Sequence, residues 1–94
     1  NRPRVEIIYP QNNDLITQPI LTIEAEASAD LGIKQLDFFF NDQLAGIDTA
    51  KPYSITFNLT PYLSVSNQQN IKVRAYDKAL NRQEDEITIN YAGN

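Results

Sequence analysis

Apolar and polar residues alternate with a period of two through most of this chain. That period belongs to a strand with one buried and one wet face. No segment holds a helical 3.6-residue period for three turns. Leu21, Ile23, Ala25 and Ala27 fall on one face, and Thr22, Glu24 and Glu26 on the other. This is the grammar of an antiparallel sheet with one side in water. The same phase turns inward Val5, Ile7 and Tyr9, then Leu36, Phe38 and Phe40, and then Tyr53, Ile55, Phe57 and Leu59. It does so again for Ile71, Val73 and Ala75, and for Ile87, Ile89 and Tyr91. Turn residues break the runs at 10–14, 28–32, 41–42 and 78–82. Ile33 is out of phase with Leu36, which predicts a bulge near Lys34. Asn41-Asp42 reads as a tight hairpin turn. Gln43 to Asp48 reads as a short edge strand that fits either sheet. A 3₁₀ turn is expected at 61–63, within a polar crossing from Thr60 to Asn67. About seven short antiparallel strands, with turn signals at intervals of roughly 8–12 residues, predict an all-β sandwich of two sheets.

The 94 residues suffice for one small domain, expected to span 1–94. Hydrophobic residues make up 41%, enough for a two-layer core and too many for a disordered tail. The net charge of −4 lacks the basic patch that nucleic acid or an anionic membrane would require. No apolar run approaches the roughly 18 residues of a membrane helix. Cysteine is absent, which excludes disulfides, thiolate metal sites and cysteine nucleophiles. Histidine is absent too, which removes the commonest general base and transition-metal ligand. Methionine is also missing, and residues 1–3 and 92–94 read as linker. The segment is therefore expected to be cut from a larger protein, and it is expected to be monomeric.

Five short motifs, in order, carry a family likeness. Pro3-Arg4-Val5-Glu6-Ile7-Ile8-Tyr9-Pro10 looks like a first strand with its closing proline. Ala27-Ser28-Ala29-Asp30-Leu31-Gly32-Ile33 looks like the loop between second and third strands. Leu36-Asp37-Phe38-Phe39-Phe40-Asn41-Asp42 matches an aromatic strand and its turn. Pro52-Tyr53-Ser54-Ile55-Thr56-Phe57 and Val73-Arg74-Ala75-Tyr76-Asp77-Lys78-Ala79-Leu80-Asn81 match two later strands. Together they resemble the bacterial immunoglobulin-like (Ig-like) modules found in tandem in cell-surface and secreted proteins. The chain departs from that family at Leu80, where glycine is usual. It departs again at Asn67-Gln68-Gln69-Asn70, where a glycine–histidine pair is usual. The resemblance implies an immunoglobulin-like β-sandwich and an extracellular or cell-surface setting. It fixes no ligand, because one fold hosts many functions.

The chain offers four candidate sites. Sandwich topology puts the loops at Asp30, Asp48 and 77–81 at one end, near the incoming N-terminal linker. Asp30, Asp77 and Asn81 offer the hard oxygen atoms that calcium takes, so a calcium ion could stiffen a domain junction there. The competing reading is that they are turn formers, bonding their own backbone. No EF-hand or dense Asp-x-Asp spacing supports the metal, and no other cofactor is expected. Second, Phe39, Arg74 and Tyr76 are expected outward on one sheet, as a surface for a ligand or partner. The competing reading there is cross-strand packing. Third, Glu24 with Glu26 and Glu84 with Glu86 have a spacing that permits paired-carboxylate chemistry. Any solvated strand shows that spacing, and no cleft is implied. Fourth, Asn58-Leu59-Thr60 is a glycosylation sequon, a chance match if the source is bacterial.

The leading expectation is a non-catalytic structural spacer and interaction module of a multidomain bacterial surface or secreted protein. Its partners would be neighbouring domains of the parent chain, with cell-wall glycan or another surface protein as further options. Nucleic acid and membrane insertion are not expected. One alternative is a carbohydrate or cell-wall glycan binding module using Phe39 and Tyr76. Another is an accessory C-terminal domain of an exported enzyme, such as a penicillin-binding protein or hydrolase.

Overall fold

The computed structural model describes residues 2–93; Asn1 and Asn94, both read as linker, lie outside them. Eight strands form: β1 (Arg4–Tyr9), β2 (Leu15–Ile16), β3 (Ile20–Ser28), β4 (Ile33–Phe40), β5 (Gln43–Asp48), β6 (Tyr53–Asn58), β7 (Gln68–Asp77) and β8 (Arg82–Tyr91). They make a three-stranded sheet, β1-β3-β6, and a five-stranded sheet, β2-β8-β7-β4-β5. The count is one above the seven expected. The additional strand, β2, has two residues, too few for any alternation to reveal. It pairs parallel to β8, while every other pair is antiparallel. The strand at 43–48, which fitted either sheet, joins β4 in the larger one.

The inward set holds with one exception. Ile23, Leu36, Phe38, Phe40, Leu59, Ile71, Val73 and Ile89 are fully buried. Phe57 lies edge-on to both Phe40 and Tyr62, with centroids 5.7 and 5.6 Å apart, the preferred geometry for aromatic pairs. Tyr9 is the exception. It is 43% exposed, because the β1–β3 register slips between Ile7 and Tyr9 and a single extra residue reverses the facing of the residues beyond it. The bulge expected near Lys34 is present, as a register shift between Ile33 and Gln35 against β7. The 3₁₀ turn is Thr60–Tyr62, one residue earlier than expected. Pro3, grouped with the linker on sequence, is fully buried.

Two seams join the sheets. After β1 the chain crosses to the other sheet through 10–14. There Asn13 N–H donates to Thr88 O, and Asn90 N–H to Asp14 O, at 2.7 and 2.9 Å. Further along, Asp85 of β8 accepts the Ile7 N–H of β1 at 2.8 Å, so a side chain satisfies an edge donor left over by β1. At Gly46 a Cβ would lie 3.0 Å from Ile55 Cγ2, and the missing side chain lets β5 sit closely against β6.

Candidate functional site

The alternation of β7 does not stop at its apolar residues. Ile71, Val73 and Ala75 face inward, and the same phase carries Gln69 and Asp77 inward at the two ends. Both are 2% exposed. Reading only the apolar members of the strand missed Gln69 and left Asp77 as a turn residue. Extending the period by one step each way would have found both.

Asp77 organises the loop to β8. Its Oδ1 accepts the N–H groups of Ala79 and Asn81, and its Oδ2 the side-chain amide of Asn81, each at 2.9 Å. Leu80 N–H donates to Asp77 O, Asp77 N–H to Asn81 O and Lys78 N–H to Gly32 O, at 3.0, 2.9 and 3.1 Å. Every N–H from Asp77 to Asn81 thus has an acceptor. Burial works against the charged Asp77 carboxylate. The hydrogen bonds from Asn81 and Ala79 outweigh it and hold the pKa below the ordinary aspartate value. Lys78, Ala79 and Leu80 form a three-residue hairpin loop that ends in the left-handed region, with Leu80 at φ 68°.

Of the three oxygen-bearing residues expected together, Asp77 and Asn81 meet directly. Asp30 is exposed on the neighbouring 29–32 turn, which the Lys78–Gly32 bond joins to this loop. Among the described residues, no three or more His, Cys, Asp or Glu side chains converge as metal ligands. Calcium takes six to eight oxygens, and the Asp77 oxygens already hold three N–H donors. The arrangement is that of a carboxylate clamping a turn. Asp48, at the same end, accepts the N–H groups of Ala50 and Ser54 at 3.2 and 3.0 Å.

The opposite end of β7 uses an amide. Gln69 Oε1 accepts from Asn41 Nδ2 at 2.6 Å and from Ser64 N–H at 2.9 Å, while Gln69 Nε2 donates to Ser66 O at 2.7 Å. Asn41 also donates to Tyr62 O and accepts the Asn70 N–H, both at 2.8 Å. This network ties the 60–67 crossing to the Asn41-Asp42 turn. Both turn residues have positive φ, 51° and 67°, as a two-residue hairpin loop requires.

Phe39, Arg74 and Tyr76 do come together on the outward face of the larger sheet. The Arg74 guanidinium carbon lies 5.0 Å from the Phe39 ring centroid. Arg74 also donates to Glu84 and, at 3.5 Å, to the Tyr76 hydroxyl. The bond to Tyr76, followed by that to Glu84, raises the Arg74 pKa above its ordinary value. The ring therefore already has a cation over one face. The other carboxylates considered have local roles or none. Glu84 pairs with Arg74, Glu86 accepts from Asn70 Nδ2 at 2.8 Å, and Glu24 and Glu26 point to solvent. Asn58 of the sequon is exposed and accepts the Thr60 N–H at 3.0 Å.

Among solved structures, the chain is similar to the fibronectin(III)-like modules of CbhA from Clostridium thermocellum. The identity is 26% and the TM-score 0.80, over 98% of this chain and 47% of that one. It thus spans about half the length of that structure. An engineered protein shares the fold, with a TM-score of 0.65 at 10% identity, over 97% of this chain and 20% of its own. No protein of curated function matches. A family profile described as a bacterial Ig domain matches residues 3–89, which takes in the Ile7–Asp85 seam, both buried polar clusters and every strand but the last two residues of β8; the chain belongs to the bacterial Ig domain family.

Proposed function

We propose that this module is a non-catalytic structural spacer in a multidomain bacterial surface or secreted protein. One observation carries the reading: the chain runs from one end of a rod to the other. β1 begins beside the 29–32 and 78–80 loops, since Arg4 pairs with Ser28. β8 finishes at the far end, where Tyr91 pairs with Ile16 and donates to Asn67 O. The body between measures 43 Å by 19 by 18 Å. Domains joined to its two ends are held apart by its length. The clamped loop at one end and the amide network at the other keep those ends from fraying.

Membership of the bacterial Ig domain family and likeness to a structure of modules about twice as long support a serial arrangement and an extracellular setting. An accessory role beside a catalytic domain of an exported enzyme would use the same geometry. A glycan-binding role gains no support from Phe39, whose ring already stacks with Arg74. Small-angle scattering from the full-length protein, with and without the module, tests the spacer. Deletion is expected to shorten the longest dimension by about the 43 Å of the body. An unchanged length overturns the reading.

A further inference from the structure

An open sheet ends in edge strands, whose free N–H and C=O groups are a template for pairing with another chain. The edges here are β1 and β6 in one sheet and β2 and β5 in the other. Three of them are blunted. β1 carries the exposed Arg4 and Glu6, and Asp85 accepts its Ile7 N–H. β2 has two residues. β6 turns the polar Ser54, Thr56 and Asn58 outward. β5 is managed differently. From Gln43 to Ile47 it has no charge and no proline, and its outward Leu44 and Ile47 are each 49% exposed. Among the described residues, its backbone pairs with β4 alone.

A bulge decides what can pair with that edge. The β4–β5 register shifts between Phe38 and Phe39, which leaves Ala45 unmatched. Leu44 lies opposite Phe39 and Ile47 opposite Asp37, both on the outward face. Gly46 lies opposite the buried Phe38, and Ala45 packs against the core. The facing from 44 to 47 therefore reads out, in, in, out. Residues 43 and 48 share the inward phase, opposite Phe40 and Leu36. A regular extended segment alternates strictly, so it falls out of phase with β5 beyond the bulge. A second copy of β5 does not, when it runs antiparallel about a two-fold axis normal to the sheet. Position 44 then meets 47 of the other copy, 45 meets 46 and 43 meets 48, and the members of every pair share one face. Leu44 packs on the partner's Ile47, twice by symmetry. Asp48, the one charged residue of the strand, meets an uncharged glutamine, so no like charges oppose each other.

We propose that β5 is a self-association surface: two copies of this chain join edge to edge through antiparallel β5 strands, with Leu44 and Ile47 in contact across the two-fold axis. Such an edge covers well under the roughly 800 Å² per partner of a stable complex, so the contact is weak, with a dissociation constant on the order of 10⁻⁴ M. Weak pairs add up where a parent chain lies beside its copies on one surface. This departs from the monomer expected on sequence, which carries no mark of the bulge in β5. It is independent of the spacer reading, and either can fail alone.

Sedimentation equilibrium on the 94-residue chain tests it. The mean mass is expected to rise from 10.7 kDa towards twice that between about 10 µM and about 1 mM. The amide resonances of residues 43–48 are expected to shift over the same range. Leu44→Glu and Ile47→Lys each place an unpaired charge at both ends of the contact, and each is expected to weaken association by about tenfold or more. Both positions are half-exposed, so the variants should melt near the parent. An equal mixture of the two variants is expected to recover the heavier species. In the mixed pair the introduced carboxylate meets the introduced ammonium, and one Leu44–Ile47 contact is kept. That recovery requires the pairing of 44 with 47, and lost folding does not produce it. A mass that stays at 10.7 kDa at every concentration, association that both variants leave intact, or a mixture that stays monomeric would each overturn the proposal.

Discussion

The two ends of β7 solve the same problem with opposite chemistry. At each end an inward-facing position falls where the apolar core runs out, and each must hold a polar group away from water. At 77 the loop to β8 turns back tightly and its N–H groups converge. What is needed there is a side chain that only accepts, and an ionised carboxylate is that group. At 69 the neighbouring crossing presents both kinds of partner, the N–H of Ser64 and the carbonyl of Ser66. What is needed there is a side chain that accepts at one atom and donates at another, which an amide does. The strand thus places its polar ends by phase, and the loops choose which polar group each end carries.

Removing either side chain breaks this comparison most severely. Asp77→Ala strands two backbone donors and one side-chain donor, all of which had charge-assisted bonds. We expect its melting temperature to fall by roughly 15 °C, read by differential scanning calorimetry. Gln69→Ala loses three neutral bonds and leaves a cavity. The expected fall is roughly 10 °C. A larger loss at 69 than at 77 would mean that the charge adds nothing to the clamp.

The exchange variants sharpen it. Asp77→Asn puts an NH₂ group where only donors converge, and Gln69→Glu puts a carboxylate oxygen against the Ser66 carbonyl. Each is expected to destabilise, by about 2 kcal/mol for Gln69→Glu. Urea titration at neutral pH would measure both. Tolerance of either exchange would show that its loop adapts rather than selects.

Much of this arrangement could be read without coordinates. Leu36, Phe38 and Phe40 declare their face because three large apolar residues share a phase, and Ile33 declares the bulge at Lys34 because it breaks that phase. Gln69 and Asp77 obey the same phase as Ile71, Val73 and Ala75, yet a polar residue in phase looks identical to a strand that has ended. Only the loops show that those positions stay buried. Tyr9 went unread for a different reason. The extra residue in β1 is Ile8, itself apolar, so nothing in composition marks where the alternation reverses. Leu80 announced an unusual loop by standing where glycine is usual. Its clamp depends on hydrogen bonds that no local pattern encodes.

Acid separates the two ends more gently. The folded pKa of Asp77 is depressed below its ordinary value of 3.8. Its contribution is therefore fully present above about pH 4 and is lost as the pH falls through the lower, folded value. In Gln69→Glu the sign reverses. Burial beside a carbonyl would raise that carboxyl, so its charged form costs stability as the pH rises through the raised value. The two proteins should converge in stability on acidification, measured by chemical denaturation from pH 7 down to pH 3. Asp77 is common to both proteins, so the convergence reports the introduced carboxyl alone, and parallel curves would show that it does not titrate as argued. Asp77 is read instead from the parent's own loss of stability below about pH 4.

The outward side of β7 gives the smallest effect and calibrates the others. Arg74 lies between the two buried ends in sequence but faces solvent, where it covers Phe39 and contacts Glu84 and Tyr76. Its charge is screened by water, and cation–π and ion-pair contacts in such settings contribute about 1 kcal/mol or less together. Arg74→Ala should therefore lower stability only slightly, and raised salt should shrink the difference between variant and parent, since screening weakens an exposed pair but barely touches a buried one. The Asp77→Ala deficit should be nearly independent of salt in the same experiment. If instead Arg74→Ala proved as costly as the variants at the strand ends, the outward face would be a second structural centre. The division of β7 into a buried polar pair and a solvated surface would then fail.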